Sequence, residues 1–221
     1  MIDNVNRTKA QKERRPELAN GFTRRKEQSK EDIRKAAWEL FGQFGVEKVS
    51  MVDIAVKAGV SQATIYNNFG SKEALAREFV TTVVDQLVNR VQEVLSHDQP
   101  YWEKMAAFIQ FISETMANER PSEGNVAWFG KSYHLQNDPE IKEIHDSAQE
   151  RMTNLMLGLV REGKEQGQIN SSLSEEAYRV YFQAFMDVFI APQFQNRYFK
   201  DPGLVQGLGA LMIYGLSGPQ K

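Results

Sequence analysis

Positions 52–69 read Val52-Asp53-Ile54-Ala55-Val56-Lys57-Ala58-Gly59-Val60-Ser61-Gln62-Ala63-Thr64-Ile65-Tyr66-Asn67-Asn68-Phe69. Two short runs of helical period meet at Ala58-Gly59-Val60-Ser61. The first opens at Ser50, with Asp53 three residues later in the arrangement of a capping box. Its apolar positions are Met51, Ile54, Ala55 and Ala58, spaced three to four apart. Gly59 breaks it, because only glycine takes a positive φ without strain. Ser61 then caps a second run through Asn68. Ala55 is small, so the second helix can cross close above it, and Val60 and Ile65 plug the angle between the two. Two helices joined by a three- to four-residue turn containing glycine form a helix-turn-helix.

The second helix is short and polar outside. Ile65 and Phe69 point inward, while Gln62, Ala63, Thr64, Tyr66 and Asn67 project. A helix of this kind fits the major groove of double-stranded DNA by its N-terminal end. The Gln62 amide matches an adenine edge, and Asn67 offers the same chemistry. Thr64 and Tyr66 suit a phosphate or a thymine methyl. Lys72 lies just after the start of the next helix, where the exposed N–H groups of a first turn favour a phosphate.

Upstream, a helix is predicted from Ser29, with Asp32 three positions on. Its stripe is Ile33, Ala36, Ala37, Leu40, Phe41 and Phe44, and Gly45 ends it. Residues 1–28 contain Arg14-Arg15-Pro16, Asn20-Gly21 and Arg24-Arg25-Lys26, and read as a flexible or loosely helical arm. Downstream, Ser71 caps a long helix with Leu75, Phe79, Val83, Val84, Leu87, Val88, Val91, Val94 and Leu95 on its buried face. Its β-branched Thr81-Thr82-Val83-Val84 cluster hints at strand, but the sustained period decides for helix. Further helices are expected from Pro100 to about Asn118, from Asp138-Pro139 to glycines 163 and 167, from Ser174, and after Asp201-Pro202. Asn125 to Tyr133 is a short aromatic segment. The fold class is all-α, a small three-helix front unit and a larger helical rear. The expected domains are 1–28 as arm, 29–75 as helix-turn-helix unit and 76–221 as rear.

Composition narrows the function. The chain has 221 residues, 41% hydrophobic and 25% charged, which is globular usage. No apolar run approaches the ~18 residues that span a bilayer, and the polar N-terminus lacks a secretory signal. With no cysteine, disulfide scaffolds and thiolate chemistry are out, and a cytoplasmic location is expected. Charge is uneven: residues 1–28 hold 8 Lys/Arg against 4 Asp/Glu, and residues 77–221 hold 13 against 19. A basic front and an acidic rear suggest a polyanion partner for the front alone. Neither a phosphate loop nor a nucleophile grouping is present, so neither enzyme activity nor a cofactor is expected. His134 and His145 lie eleven apart, but Asp138-Pro139 breaks the helix between them, and no metal site is expected.

The stretch from Ile33 to Leu75 resembles the DNA-binding domain of the TetR family of bacterial regulators. The matching elements are Ala36-Ala37 to Leu40-Phe41, Phe44-Gly45, Val52 to Ala55, Ala58-Gly59-Val60-Ser61, Thr64 to Phe69, and Ser71-Lys72-Glu73-Ala74-Leu75. The resemblance implies a homodimer that binds a near-palindromic operator and is released by a small-molecule effector held in the rear. It implies base reading near Gln62, Ala63 and Tyr66, and phosphate contacts near Ser50, Thr64, Asn67 and Lys72. Gly70 stands where the family often has proline, and the basic arm is longer than the family usually shows.

In the rear, the helix over 177–191 is apolar nearly all round, and such a helix must be covered on every side. The last helix adds a small-residue edge at Gly207, Gly209, Ala210 and Gly215. These two helices are expected to form a four-helix dimer interface, with Phe182, Phe185, Phe189, Leu204, Leu208, Leu211 and Met212 at its centre. Aromatic and Met side chains adapt to irregular apolar ligands. The candidate pocket is Phe108, Phe111, Trp128, Phe129, Tyr133, Met152, Met156, Tyr181 and Phe185. Two competing readings remain: an all-α enzyme or lipid-binding protein whose front helices only pack, and an effector-independent DNA binder or activator.

Overall fold

A computed structural model describes residues 3–117, 137–190 and 201–217. Among the described residues there is no strand, and the fold is all-α as its periodicity predicts. The chain divides into two compact units, Met1–Ala76 and Arg77–Lys221. The boundary falls inside a helix.

The front unit holds α1 (Asp3–Phe44), α2 (Met51–Ala58), α3 (Gln62–Phe69) and the first turn of α4 (Lys72–Ser96). Its core is Ile33, Ala36, Ala37 and Phe41 from α1, Met51, Ile54 and Ala55 from α2, and Ile65 from α3, with Leu75 and Ala76. Val46 and Val49 close it from the α1–α2 loop. The apolar stripes thus converge as their 3.6-residue period requires, except at Phe44, which is 49% exposed at the end of α1. Gly45 ends α1 with φ +82° and an N–H bond to the Phe41 carbonyl at 2.8 Å.

One expected boundary differs. The first helix begins at Asp3 and passes through Ser29 without a cap. Gln28 Nε2 donates to Asp32 at 3.0 Å, Lys30 pairs with Glu27 and Arg34 with Glu31, each at 3.5 Å. These neighbours at three- and four-residue spacing support a helix that continues rather than one that starts.

In the rear unit, the remainder of α4 is followed by α5 (Tyr101–Ala117), α6 (Pro139–Glu165), α7 (Glu175–Ile190) and α8 (Pro202–Ser217). Packing runs α5 on α6, α6 on α7 and α8 on α5. The predicted starts at Asp138, Ser174 and Asp201 are capped as drawn. Asp138 accepts from the N–H groups of Glu140 and Ile141, Ser174 from Ala177, and Asp201 from Gly203 and Leu204. Gly163 does not end α6. It lies inside the helix because Tyr101 and Ile169 crowd against it, where a Cβ would meet both at 2.7–2.8 Å. The turn falls at Gly167, with φ +69°.

Ion pairs tie the rear helices together. Arg77 on α4 reaches Asp138 at 2.9 Å and Glu140 at 3.0 Å. Lys104 on α5 is buried and pairs with Glu162 on α6 at 2.7 Å. His145 is 4% exposed, and burial holds its pKa down at about 4 against an ordinary 6.5. Among the described residues no cluster of His, Asp and Glu could hold a metal, and no helix is long and apolar enough to cross a membrane. His134 lies outside the described residues.

Candidate nucleic-acid interface

The turn between α2 and α3 is built from backbone chemistry. Gly59 takes φ +67°, and its N–H reaches the Val56 carbonyl at 3.3 Å. The Val60 N–H turns back to the Ala55 carbonyl at 3.0 Å, which closes the end of α2. Ser61 Oγ then accepts from the Thr64 N–H at 3.1 Å and lies 2.9 Å from Thr64 Oγ1. The two hydroxyls therefore share one proton bridge across the first turn of α3.

This geometry sorts the α3 residues into two faces. Ile65 is 0% exposed and seals the helix to the core, whereas Tyr66 is 48% exposed. Ser61, Gln62, Ala63 and Asn67 are exposed as well, and Thr64 is half-buried. The amide of Gln62 and that of Asn67 thus stand free of the core on the outer side. Asn68, in contrast, donates from Nδ2 to the Thr64 carbonyl at 2.8 Å and stiffens the helix from its flank.

Two expected phosphate contacts are already engaged. Ser50 donates its hydroxyl to Asp53 Oδ2 at 2.6 Å and its N–H to the same oxygen at 2.9 Å. Both donors are spent on the capping box, so a phosphate at Ser50 must be met by the first-turn N–H groups of α2 instead. The same two bonds, the hydroxyl first, hold the Asp53 carboxyl below its ordinary pKa. Lys72 donates to the Glu47 carbonyl at 3.3 Å. An ammonium has three donors, so this bond anchors the side chain and leaves others for a phosphate.

Sequence reasoning missed the clamps that hold this face. The Arg34 guanidinium lies 5.6 Å from the centre of the Phe69 ring, pinning the end of α3 to α1. Lys57 pairs with Glu39 at 2.6 Å and ties α2 to α1. That hydrogen bond, reinforced by the lysine charge, lowers the Glu39 pKa. A cation on α1 or α2 facing an aromatic or an acid on its neighbour was the available signal. It shows only once the crossing of the helices is known.

The rear candidates are dispersed. Phe108 and Phe185 line one small cleft together with Ile109, Ile112, Ser113, Gly209 and Met212, a cavity of about 20 Å³. Tyr181 stacks on Phe185 with ring centres 6.5 Å apart. Met152 and Met156 are buried in α6, and Phe111 is half-buried. Trp128, Phe129 and Tyr133 lie outside the described residues. Of the residues expected at a dimer interface, Phe182 and Met212 are buried within the chain's own core. Phe185, Leu204 and Leu208 are half-buried, and the Phe189 side chain is not among those described. Among the described side chains of α7 and α8, the large apolar ones that face outward are Leu211, 65% exposed, and Val180, 58% exposed.

Comparison with known proteins agrees with this arrangement. The family model described as bacterial regulatory proteins, tetR family, matches residues 33–79. The HTH-type transcriptional regulator YvdT of Bacillus subtilis is 33% identical over 72 residues, 33% of this chain and 37% of that protein. The chain spans only 34–38% of the length of the first curated relatives it matches. A fatty acid metabolism regulator protein of Bacillus subtilis is 25% identical, over 62% of this chain and 69% of its own. Among solved structures, the transcriptional regulator FadR of Bacillus subtilis, in complex with stearoyl-CoA, superposes with a TM-score of 0.62 at 21% identity. That superposition covers 84% of this chain and 98% of FadR. At such identity the likeness extends to the fold of both units. Residues 33–79, which carry the capped, outward-facing α3, match the family of bacterial regulatory proteins called tetR, and the likeness over the rest of the chain is one of fold.

Proposed function

We propose that the chain is a DNA-binding transcriptional regulator, not an enzyme, and that it acts in the cytoplasm as a homodimeric repressor. In this reading α3 enters the major groove, with Gln62, Ala63 and Tyr66 against the bases. Thr64, Asn67 and Lys72 meet phosphates, with Ser61 fixing the first turn. The observation that carries it is the division of α3 between a fully buried Ile65 and an exposed outer face. A helix that only packed would not be held this firmly by its caps while leaving two amides and a tyrosine unused. Pairing two chains through α7 and α8 would set two α3 helices about one DNA turn apart, ~34 Å, over a near-palindromic site. Exposed Val180 and Leu211 would lie at the centre of that contact.

The rear would bind an apolar effector. The stearoyl-CoA complex of a similar protein supports the acyl class. So does the apolar cleft at Phe108 and Phe185. That cleft holds little more than one water. An acyl chain there must part α5 from α8. It would bind better to a conformation of the rear that differs from the free one, which is the differential affinity a switch requires. By linkage, operator DNA then weakens effector binding by the same factor.

The test is footprinting on the DNA upstream of the chain's own reading frame, with and without a long-chain acyl-CoA. The expected result is a protected two-fold site whose protection fades as the acyl-CoA is added. Retention of all duplexes alike, with no protected site, would contradict it.

A further inference from the structure

The basic arm lies outside the matched family region, which begins at residue 33. It is not a separate tail, since α1 is one helix from Asp3 to Phe44. Among the residues of α1 whose burial is described, the first to enter the front core is Ile33, and residues 23–28 are all exposed, on every side of the helix. About thirty residues of α1 precede Ile33, which at ~1.5 Å each is ~45 Å of helix. That length corresponds to about 13 base pairs of duplex.

Two observations give this extension a partner. Its charge is the reverse of the rear: 8 Lys/Arg against 4 Asp/Glu over residues 1–28. Its point of departure is beside the reading helix, because Arg34, one residue into the packed part of α1, sits over Phe69 at the end of α3. A helix without packing is marginal in water. This one also contains Pro16 and Gly21, each of which opposes helix. Its excess of Lys and Arg matches the charge of a line of phosphates.

We infer that the N-terminal part of α1 is a second DNA-binding element, which grips the phosphate backbone next to the site read by α3. This rests on the DNA-binding reading above. It adds affinity without sequence preference, because phosphates carry no base information. Arg14, Arg15, Arg24 and Lys26 are four of its eight Lys and Arg residues.

The experiment uses the full chain and a variant with Arg14→Gln, Arg15→Gln, Arg24→Gln and Lys26→Gln, on the footprinted duplex and on random-sequence duplex, across 50–200 mM salt. Each phosphate contact removed should flatten the slope of log affinity against log salt by about 0.9, roughly a threefold smaller loss per contact over that range. Affinity should fall by the same factor on both duplexes, so the specificity ratio stays put. Independently of any substitution, the unaltered protein should show a steeper slope on a duplex with ~15 base pairs of flank than on the bare site.

An unchanged slope in the variant, or one indifferent to flanking length, overturns the inference. An unchanged slope together with an altered oligomeric state would overturn it in favour of self-association through the arm. If Gln62→Ala still shifts base preference in that outcome, the reading by α3 survives while the arm's role falls. If the unaltered protein selects no site at all, it is the DNA-binding reading that fails.

Discussion

The front and rear units are both helical, yet they store their information differently. In the front, the residues that cap the helices and make the turn act within a few positions of themselves. Gly59 takes a positive φ, Ser50 and Asp53 cap one another, and Ser61 holds the Thr64 N–H. In the rear, the same kinds of caps set where helices begin, but which faces meet is a matter of packing between distant segments. A local device leaves a local signature in sequence, whereas a packing arrangement leaves only a period.

The largest test of this contrast is in the front core. Phe41 is fully buried in a small unit, so Phe41→Ala should cost ~3–5 kcal/mol. Urea unfolding should then show the front melting early, while the rear unfolds as before. A uniform loss across both would erase their independence.

The next falls on the rear alone. His145 is held neutral by burial, with a pKa near 4 in the folded chain and 6.5 as its ordinary value. Between those values the unfolded chain gains a proton that the folded chain refuses. Stability from this site is therefore complete above pH 6.5 and is lost as pH falls toward 4, by ~3 kcal/mol in all. Denaturation midpoints at pH 7 and pH 5, compared for the native chain and His145→Gln, measure it. An equal pH dependence in both would remove His145 from the account. The carboxylates with lowered pKa, Asp53 and Asp138 among them, act in a lower window, as pH falls below their ordinary range.

Smaller still is the cap of α3. Ser61→Ala should cost ~1 kcal/mol and weaken operator binding in step, because the reading helix loses its fixed first turn. Stability and binding measured on one preparation should move together, and a loss of binding with no loss of stability would make Ser61 a direct DNA contact instead. The smallest effect is expected at Tyr101. This side chain is fully buried, its hydroxyl has no hydrogen-bond partner among the described residues, and burial raises its pKa. Tyr101→Phe removes an unsatisfied donor and should leave the thermal midpoint unchanged or slightly higher. A marked fall would reveal a hydrogen bond at that hydroxyl.

The same contrast explains what could be read in advance. The helix-turn-helix, its caps and its outward residues follow from spacing alone. Ser29 misled because Ser followed by Asp at three residues looks the same where a helix starts and where it runs on. Here Gln28 engages Asp32 within the helix. The α7 sequence is apolar nearly all round, so it carries no phase. Nothing local distinguishes Phe182, which is buried, from Val180, which faces out. The Arg34–Phe69 stack was equally illegible, since it joins residues 35 apart in sequence.

The central claim is that the outer face of α3 reads bases. It is tested most directly by selecting duplexes from a random-sequence pool with the native chain and with Gln62→Ala, at one fixed salt concentration. The account predicts a two-fold site for the native chain, and for the variant the same site with discrimination relaxed at one position per half-site by ~1–3 kcal/mol. Affinity lowered alike for every sequence, with the selected site unaltered, would contradict it.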